Sequence, residues 1–261
     1  MRHAPAIVVC LCLVATLRGP VREARAVGVY EDAAGYAGFL VAPHRTSAVA
    51  RFIGTDTEDT RASMVHFAGR FAPRPGLLVD LELPFITTAV PGRDIQSGFG
   101  DLRVRLRQDL WRGRHARLAL AADLGTGTGT GRVFPYASES LEFGLALAYV
   151  DTLDILHWWA SAGGAIVGRQ SDEAAALGLV DDYGRVGAGL MVPLGGRTGV
   201  RLGLSVLLFE SGITRDVYFA RVHWDYSKAL RLVAGAQIEA APGEDRATDT
   251  AGEAGIVVYF P

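Results

Sequence analysis

The charged residues most able to do chemistry cluster in residues 98–110, GFGDLRVRLRQDL. Three arginines alternate there with apolar residues, and an aspartate stands on either side of them: Asp101, Arg103, Arg105, Arg107 and Asp109. Further carboxylates occur before and after this stretch: Asp80, Glu82, Asp123 and Glu142. Guanidinium groups beside carboxylates either form structural ion pairs or bind a charged solute. Both interpretations require these side chains to share one polar face.

The spacing of the charges is typical of a β-strand. Leu102, Val104 and Leu106 occupy the alternate positions, and a period of two places successive side chains on opposite faces. The same alternation recurs to the C-terminus, and no stretch carries a convincing helical period. It predicts about twelve strands, at 45–54, 62–72, 77–85, 102–110, 117–124, 141–149, 155–168, 182–194, 200–208, 217–227, 229–240 and 253–260.

Short polar connections alternate with longer ones along the chain. The short turns fall at 73–74, 112–114, 151–154, 195–197 and 227–228, and the longer linkers at 86–98, 125–139, 169–181, 210–216 and 241–252. Short turns at one end and long loops at the other are the plan of an outer-membrane β-barrel, whose turns lie in the periplasm. We therefore predict an all-β chain whose residues 45–261 form a single antiparallel up-and-down transmembrane barrel in a Gram-negative outer membrane.

The N-terminal residues predict export. An apolar stretch over residues 6–17 follows Arg2, and residues 24–26 are a small-x-small cleavage site, so residues 1–26 have the pattern of a signal peptide. The apolar stretch is shorter than the roughly 20 residues that a membrane-spanning helix needs. Residues 27–44 are then expected to be a periplasmic or plug segment. Cys10 and Cys12 both lie in the predicted signal, so the mature chain would have no disulfide.

The bilayer decides which face of each strand is polar. An arginine on the lipid face near the midplane costs about 2–4 kcal/mol, so the arginines must face the lumen and the leucines the lipid. The lumen charges either fill a narrow interior as ion pairs or select a solute. The lumen-lining candidates are Arg103, Arg105, Arg107, Arg117, Arg201, Asp80, Glu82, Asp101, Asp123, Glu142, Arg221 and His223.

Aromatic residues give a further indication of a membrane barrel. Six of them lie at strand ends beside the short turns and predict an interfacial girdle: Trp111, Tyr149, Trp158, Trp159, Trp224 and Tyr226. The amphipathic stretch 253–260 ends in the aromatic Phe260, which resembles the signal that barrel-insertion machinery reads. Outer-membrane lipid and that machinery are therefore the expected partners, together with an unknown small solute.

Three motifs resemble one known family. Leu83-Pro84-Phe85, then the segment 97–102 (SGFGDL), then Leu124-Gly125-Thr126-Gly127 are similar to the outer-membrane transporter family of the meta-pathway of phenol degradation. The likeness covers roughly residues 77–130, and Gly125 stands where family members usually have proline. It implies a barrel that passes small, often aromatic or hydrophobic, compounds. It implies no catalytic or ligand-binding residue.

The remaining composition argues against other classes of function. A formal net charge of -2 gives no basic excess for nucleic acid. The chain contains no asparagine, so it lacks the Asn-Gly motif of outer-membrane phospholipases, and no motif indicates a cofactor or metal. We predict a passive channel or transporter rather than an enzyme. The alternatives are a non-conducting structural or surface-interaction barrel and, less consistent with the loop pattern, a soluble periplasmic β-protein.

Overall fold

The computed structural model describes residues 33–56, 61–89, 94–129, 140–153, 156–168, 182–210, 212, 214–240 and 248–261. The predicted signal peptide, linker 169–181 and most of linkers 125–139 and 241–252 lie outside them. The described elements are helix α1 (Ala33–Val41) and strands β1 (Ser47–Asp56), β2 (Arg61–Arg74), β3 (Leu77–Ala89), β4 (Gln96–Phe99), β5 (Arg103–Arg112), β6 (Ala116–Gly125), β7 (Glu142–Leu153), β8 (Leu156–Val167), β9 (Tyr183–Gly195), β10 (Thr198–Phe209), β11 (Thr214–Asp225), β12 (Leu230–Ala240) and β13 (Thr248–Tyr259).

The strands form one closed antiparallel barrel. Apart from β4 and β5, strands that are neighbours in the chain are neighbours in the sheet, and β1 pairs with β13, which closes the ring. Strands β4 and β5 both pair with the same side of β3, one at each end, so together they occupy one position in a ring of twelve. This architecture confirms the predicted up-and-down barrel, with strand bounds close to those expected from the sequence.

Pro84 lies where the partner of β3 changes from β5 to β4. The β5 pairing ends at Glu82 and the β4 pairing begins at Phe85. Proline has no backbone N–H to continue the ladder, although its carbonyl still accepts a hydrogen bond from the Gly100 N–H at 2.9 Å. The break in the β-ladder between β5 and β4 therefore coincides with the proline of the Leu-Pro-Phe motif.

Side-chain exposure alternates along the strands as predicted. In β5, Leu106 is 43% exposed on the outer wall, whereas Arg105 and Arg107 on the inner face are 3% and 0% exposed. The outer wall is largely apolar; its exposed side chains include Phe52, Phe67, Leu81, Leu83, Phe143, Leu145, Leu147, Leu202 and Ile256. Closure pairs the backbone groups within the sheet, and the apolar wall matches a hydrocarbon environment.

Helix α1 lies inside the barrel, in a segment where the sequence shows no helical period. Phe39 and Leu40 are fully buried, in one cluster with wall residues such as Leu78, Trp159 and Phe219. The segment AAGYAGFLV is apolar throughout, so it shows no helical period, and its side chains from Tyr36 to Val41 are buried or half-buried inside the barrel. Among the described residues, no helix has the length and apolar character needed to span a membrane.

The aromatic prediction was partly wrong. Trp111, Trp224 and Tyr226 are exposed near the short turns, as expected of a girdle. Trp159 instead points into the barrel, where it is 3% exposed and stacks on Phe219 at 6.3 Å between ring centroids. Trp158 is also buried and packs against Tyr149. Trp158 and Trp159 are consecutive, so alternation alone put one of the pair on the inner face.

Inner-face glycines make room for these rings, which yields a stability prediction. A Cβ at Gly203 would overlap the Phe219 ring, while a Cβ at Gly252 would meet open space. Gly203→Val should lower the free energy of unfolding by about 1–3 kcal/mol through overpacking. Gly252→Val, the matched control on another strand, should be close to neutral. The midpoint of urea unfolding in detergent tests this, and equal midpoints for the two variants would contradict it.

Candidate functional site

Two arginines of β5, Arg103 and Arg105, form an ion-pair network with carboxylates on the neighbouring strands. Arg105 lies 2.8 Å from a Glu82 carboxylate oxygen on β3 and 3.6 Å from Asp123 on β6. Arg103 reaches across β6 to Glu142 on β7 at 2.8 Å and is 3.9 Å from Asp123. The strand register explains these pairs, because Asp80, Arg105 and Asp123 lie on one row and Glu82 and Arg103 on the next.

Asp80 pairs with an arginine of β2 and not with an arginine of β5. Its carboxylate is fully buried and lies 2.6 Å from Arg70 on β2. Arg70 is not among the lumen-lining residues predicted from the sequence, although it falls on the inner face of the predicted strand 62–72. The sequence signal that could have identified it is its alternation with exposed Phe67 and Phe71.

Arg107 binds the end of helix α1 instead of a carboxylate on a neighbouring strand. Its guanidinium donates hydrogen bonds to the carbonyls of Phe39 (2.6 Å), Leu40 (2.9 Å) and Ala42 (2.9 Å). Arg117 donates to the Leu40 carbonyl as well, at 2.8 Å. The last carbonyls of a helix lack partners within the helix and carry partial negative charge. Two wall arginines therefore satisfy the C-terminal end of α1 inside the barrel.

A second buried network lies between β11, β13 and β1. Arg221 donates two hydrogen bonds to the Glu253 carboxylate, one of them at 2.6 Å, and Arg51 lies 3.4 Å from the same carboxylate. Arg221 is among the lumen-lining residues predicted from the sequence, whereas Arg51 and Glu253 are not. Both occupy inner-face positions of predicted strands, but only the closed barrel brings the first and last strands together.

Asp101, Arg201 and His223 form none of the ion pairs described above. Asp101 is outside the strands, between β4 and β5, where it accepts a hydrogen bond from the Gly129 N–H at 2.8 Å. His223 is half-buried on β11 opposite Gly199. Arg201 is buried on β10, and among the described residues no carboxylate lies within 4.0 Å of it.

A cavity of about 460 Å³ opens at the short-turn end of the barrel. We call it the vestibule. The C-terminal end of α1 and the following Pro43 form its inner boundary, and the β5–β6 turn forms part of its rim. Its other lining side chains include Arg117, Arg201, Arg231, His223, His157, Trp159 and Met191. In the described part of the chain, no group of three or more histidine, cysteine or acidic residues is placed to hold a metal ion.

His44 connects helix α1 to the wall at this end. Its Nε2 lies 3.1 Å from an Asp109 carboxylate oxygen and 3.2 Å from Nη2 of Arg107. Burial, followed by the positive charges of Arg107 and Arg112, lowers the pKa of His44 below its ordinary value of 6.5, although Asp109 opposes this. The docked helix thus favours neutral His44.

This pKa shift predicts a pH-dependent position of the helix. Docking keeps its full stability above pH 6.5, where His44 is neutral in either state, and weakens as pH falls below that value. Limited proteolysis of the segment before β1 should therefore accelerate from pH 7.5 to pH 5. His44→Gln should flatten this dependence, whereas exposed His115→Gln should leave it intact. The same pH dependence in the His44 variant would rule out this residue as its source.

These features define a class of protein. A closed twelve-strand antiparallel barrel, apolar outside and charged inside, has the architecture of outer-membrane β-barrels. No protein-family model matches the chain, and no curated protein matches it.

Solved structures share the fold. An outer membrane channel from Pseudomonas putida F1 is 13% identical, with 89% of this chain and 100% of that chain covered and a TM-score of 0.65. The translocator domain of the autotransporter NalP from Neisseria meningitidis is 12% identical, over 87% and 92% of the two chains, at TM-score 0.55. The CymD monoaromatic hydrocarbon channel is 9% identical, over 90% and 95%, at TM-score 0.50. At such identities the likeness is one of fold.

Proposed function

We propose that this chain is a passive outer-membrane channel for small compounds. The observation that carries the proposal is the inner face, where buried arginines and carboxylates from many strands line the interior of a wall that is apolar outside. A surface that only needed to pack would not require so many buried charges, each of which is costly to desolvate. The channel folds that the chain resembles support the same function.

Aromatic or hydrophobic compounds are the proposed solutes. The motifs around Pro84 and Gly125 resemble those of the meta-pathway transporter family, and one structural neighbour is described as a monoaromatic hydrocarbon channel. The inner wall also presents aromatic surface, from Trp159 and Phe219, beside its charges. The lumen-lining candidates named from the sequence are proposed to contact the solute as it passes.

Residues 27–44 are proposed to act as a plug. The described part of this segment consists of helix α1 and the residues after it. Arg107 and Arg117 hold it by hydrogen bonds, and it packs against the barrel wall on several sides. Passage of a solute then requires the helix to shift. This filled interior also favours the second candidate, a non-conducting structural or surface-interaction barrel.

Single-channel recording tests the proposal. The full-length chain, purified from outer membranes in detergent, would be inserted in planar bilayers at pH 7.5 and pH 5, with benzyl alcohol and phenol as trial solutes. Discrete conductance steps altered by these solutes are the expected result. Silence at both pH values from protein shown to be folded by heat-shifted gel mobility would overturn the channel proposal in favour of the non-conducting barrel.

A further inference from the structure

The lining of the vestibule is strongly basic. Among its described residues are three histidines and no carboxylate, together with five arginines: Arg112, Arg114, Arg117, Arg201 and Arg231. Its size, about 460 Å³, falls within the range of roughly 300–1,000 Å³ typical of small-molecule sites. The vestibule therefore has the volume for a small organic molecule and an excess of positive charge.

Most of these arginines already have a partner or are exposed to solvent. Arg112 lies 2.6 Å from Asp109, and Arg231 lies 2.6 Å from Asp225. Arg117 donates to the end of helix α1, and Arg114 is exposed on the turn. One buried arginine of the vestibule is a cation without an acidic partner among the described residues.

Arg201 is that cation. It is 9% exposed, and its Nε has no hydrogen-bond partner in the described part of the chain. Among the described residues its guanidinium donates one long hydrogen bond, from Nη2 to the Met191 sulfur at 4.0 Å. The neighbouring carboxylate, Glu253, is already bound by Arg221 and Arg51. A buried guanidinium without a counter-charge is unfavourable, so the position favours an anion.

Apolar groups flank Arg201 on the same wall. Met191 lies directly across from Arg201 in the sheet register, and Trp159 lies one row further along on β8, opposite Gly189. Trp159 has an indole N–H without a partner among the described residues, and Val41 and Val150 complete the apolar side of the cavity. A guanidinium beside an aromatic and aliphatic surface matches a ligand with one anionic end and one apolar end.

We infer that the vestibule binds small organic carboxylates that carry an aromatic or other apolar group, with Arg201 as the ionic partner. The inference rests on the proposed channel function and names the class of solute that enters from the short-turn end. The carboxylate pairs with the Arg201 guanidinium, and the apolar group packs against Met191 and Trp159. Carboxylate recognition by arginine is geometrically specific because both groups are planar and bidentate.

Calorimetric titration of the folded full-length protein in detergent tests the inference. Benzoate is the probe, and benzyl alcohol, which has the same ring without the charge, is the matched ligand control. We expect benzoate to bind at least about 10-fold more tightly than benzyl alcohol, as a charge-assisted hydrogen bond predicts. Arg201→Gln should weaken benzoate binding by about 10-fold or more. Arg112→Gln, which alters an already paired arginine of the same cavity, should change it by less than about 2-fold.

The outcomes separate this inference from the channel proposal. Equal affinity of the wild-type protein for benzoate and benzyl alcohol, or no binding of either, would overturn the carboxylate site even if Arg201→Gln fails to fold. An equal loss of benzoate affinity in both arginine variants would also overturn the role of Arg201. Conductance recorded on the same wild-type sample decides the channel function independently, since a site can bind benzoate without any flux.

Discussion

Arg107→Met should release helix α1 and increase the open probability of the barrel in planar bilayers by about 10-fold or more. Methionine retains much of the volume of the side chain but donates no hydrogen bond. The Ala42 carbonyl would lose its Arg107 donor, whereas Leu40 would keep Arg117 and Phe39 would keep the Ala42 N–H at 3.2 Å. Each buried carbonyl left unsatisfied costs about 1–3 kcal/mol, and about 1.4 kcal/mol corresponds to a factor of ten.

Arg112→Met is the matched control for this experiment. It removes an arginine from the same strand, but that side chain is 52% exposed and bonded to Asp109, away from the helix carbonyls. We expect its open probability to equal that of the wild type. If the open probability of Arg107→Met were as low as that of Arg112→Met, the position of helix α1 would not depend on the Arg107 hydrogen bonds.

Glu253→Ala should produce the largest loss of barrel stability, about 3–5 kcal/mol in the free energy of unfolding. The change removes the carboxylate that both Arg221 and Arg51 bind, and Arg201 lies directly across from Arg221 in the sheet register. Three buried guanidinium groups would then share one region of the interior, with Glu82 only 3.9 Å from Arg51 as a remaining counter-charge. Urea unfolding in detergent, followed by gel mobility, measures the effect.

Asp56→Ala is the corresponding control at an exposed ion pair. Asp56 and Arg61 are 60% and 80% exposed at the other end of β1 and β2, where solvent screens their attraction. The expected loss is about 0–1 kcal/mol. Equal unfolding midpoints for Asp56→Ala and Glu253→Ala would mean that the buried network between β13, β11 and β1 contributes no more than a surface pair.

Several features of the interior could not be predicted from the sequence. Asp80 and Arg107 have opposite charges and inner-face positions, yet Asp80 binds Arg70 and Arg107 binds helix α1. Inner-face side chains are long enough to reach other strands or the helix, so which of them pair depends on the three-dimensional interior. Alternation alone puts one of the consecutive Trp158 and Trp159 on the inner face, but the stacking of Trp159 on Phe219 depends on the space left by Gly189 and Gly203.

The sequence by itself determined the barrel, its strand positions and the polarity of its two faces. These follow from a period of two and from alternating turn lengths, which are local properties of the chain. Only the tertiary structure decided what fills the interior. Helix α1 has no amphipathic period, its side chains from Tyr36 onward pack inside the barrel, and its anchors Arg107 and Arg117 lie far away in sequence. That none of the described carboxylates pairs with Arg201 likewise emerges only once closure has brought the strands together.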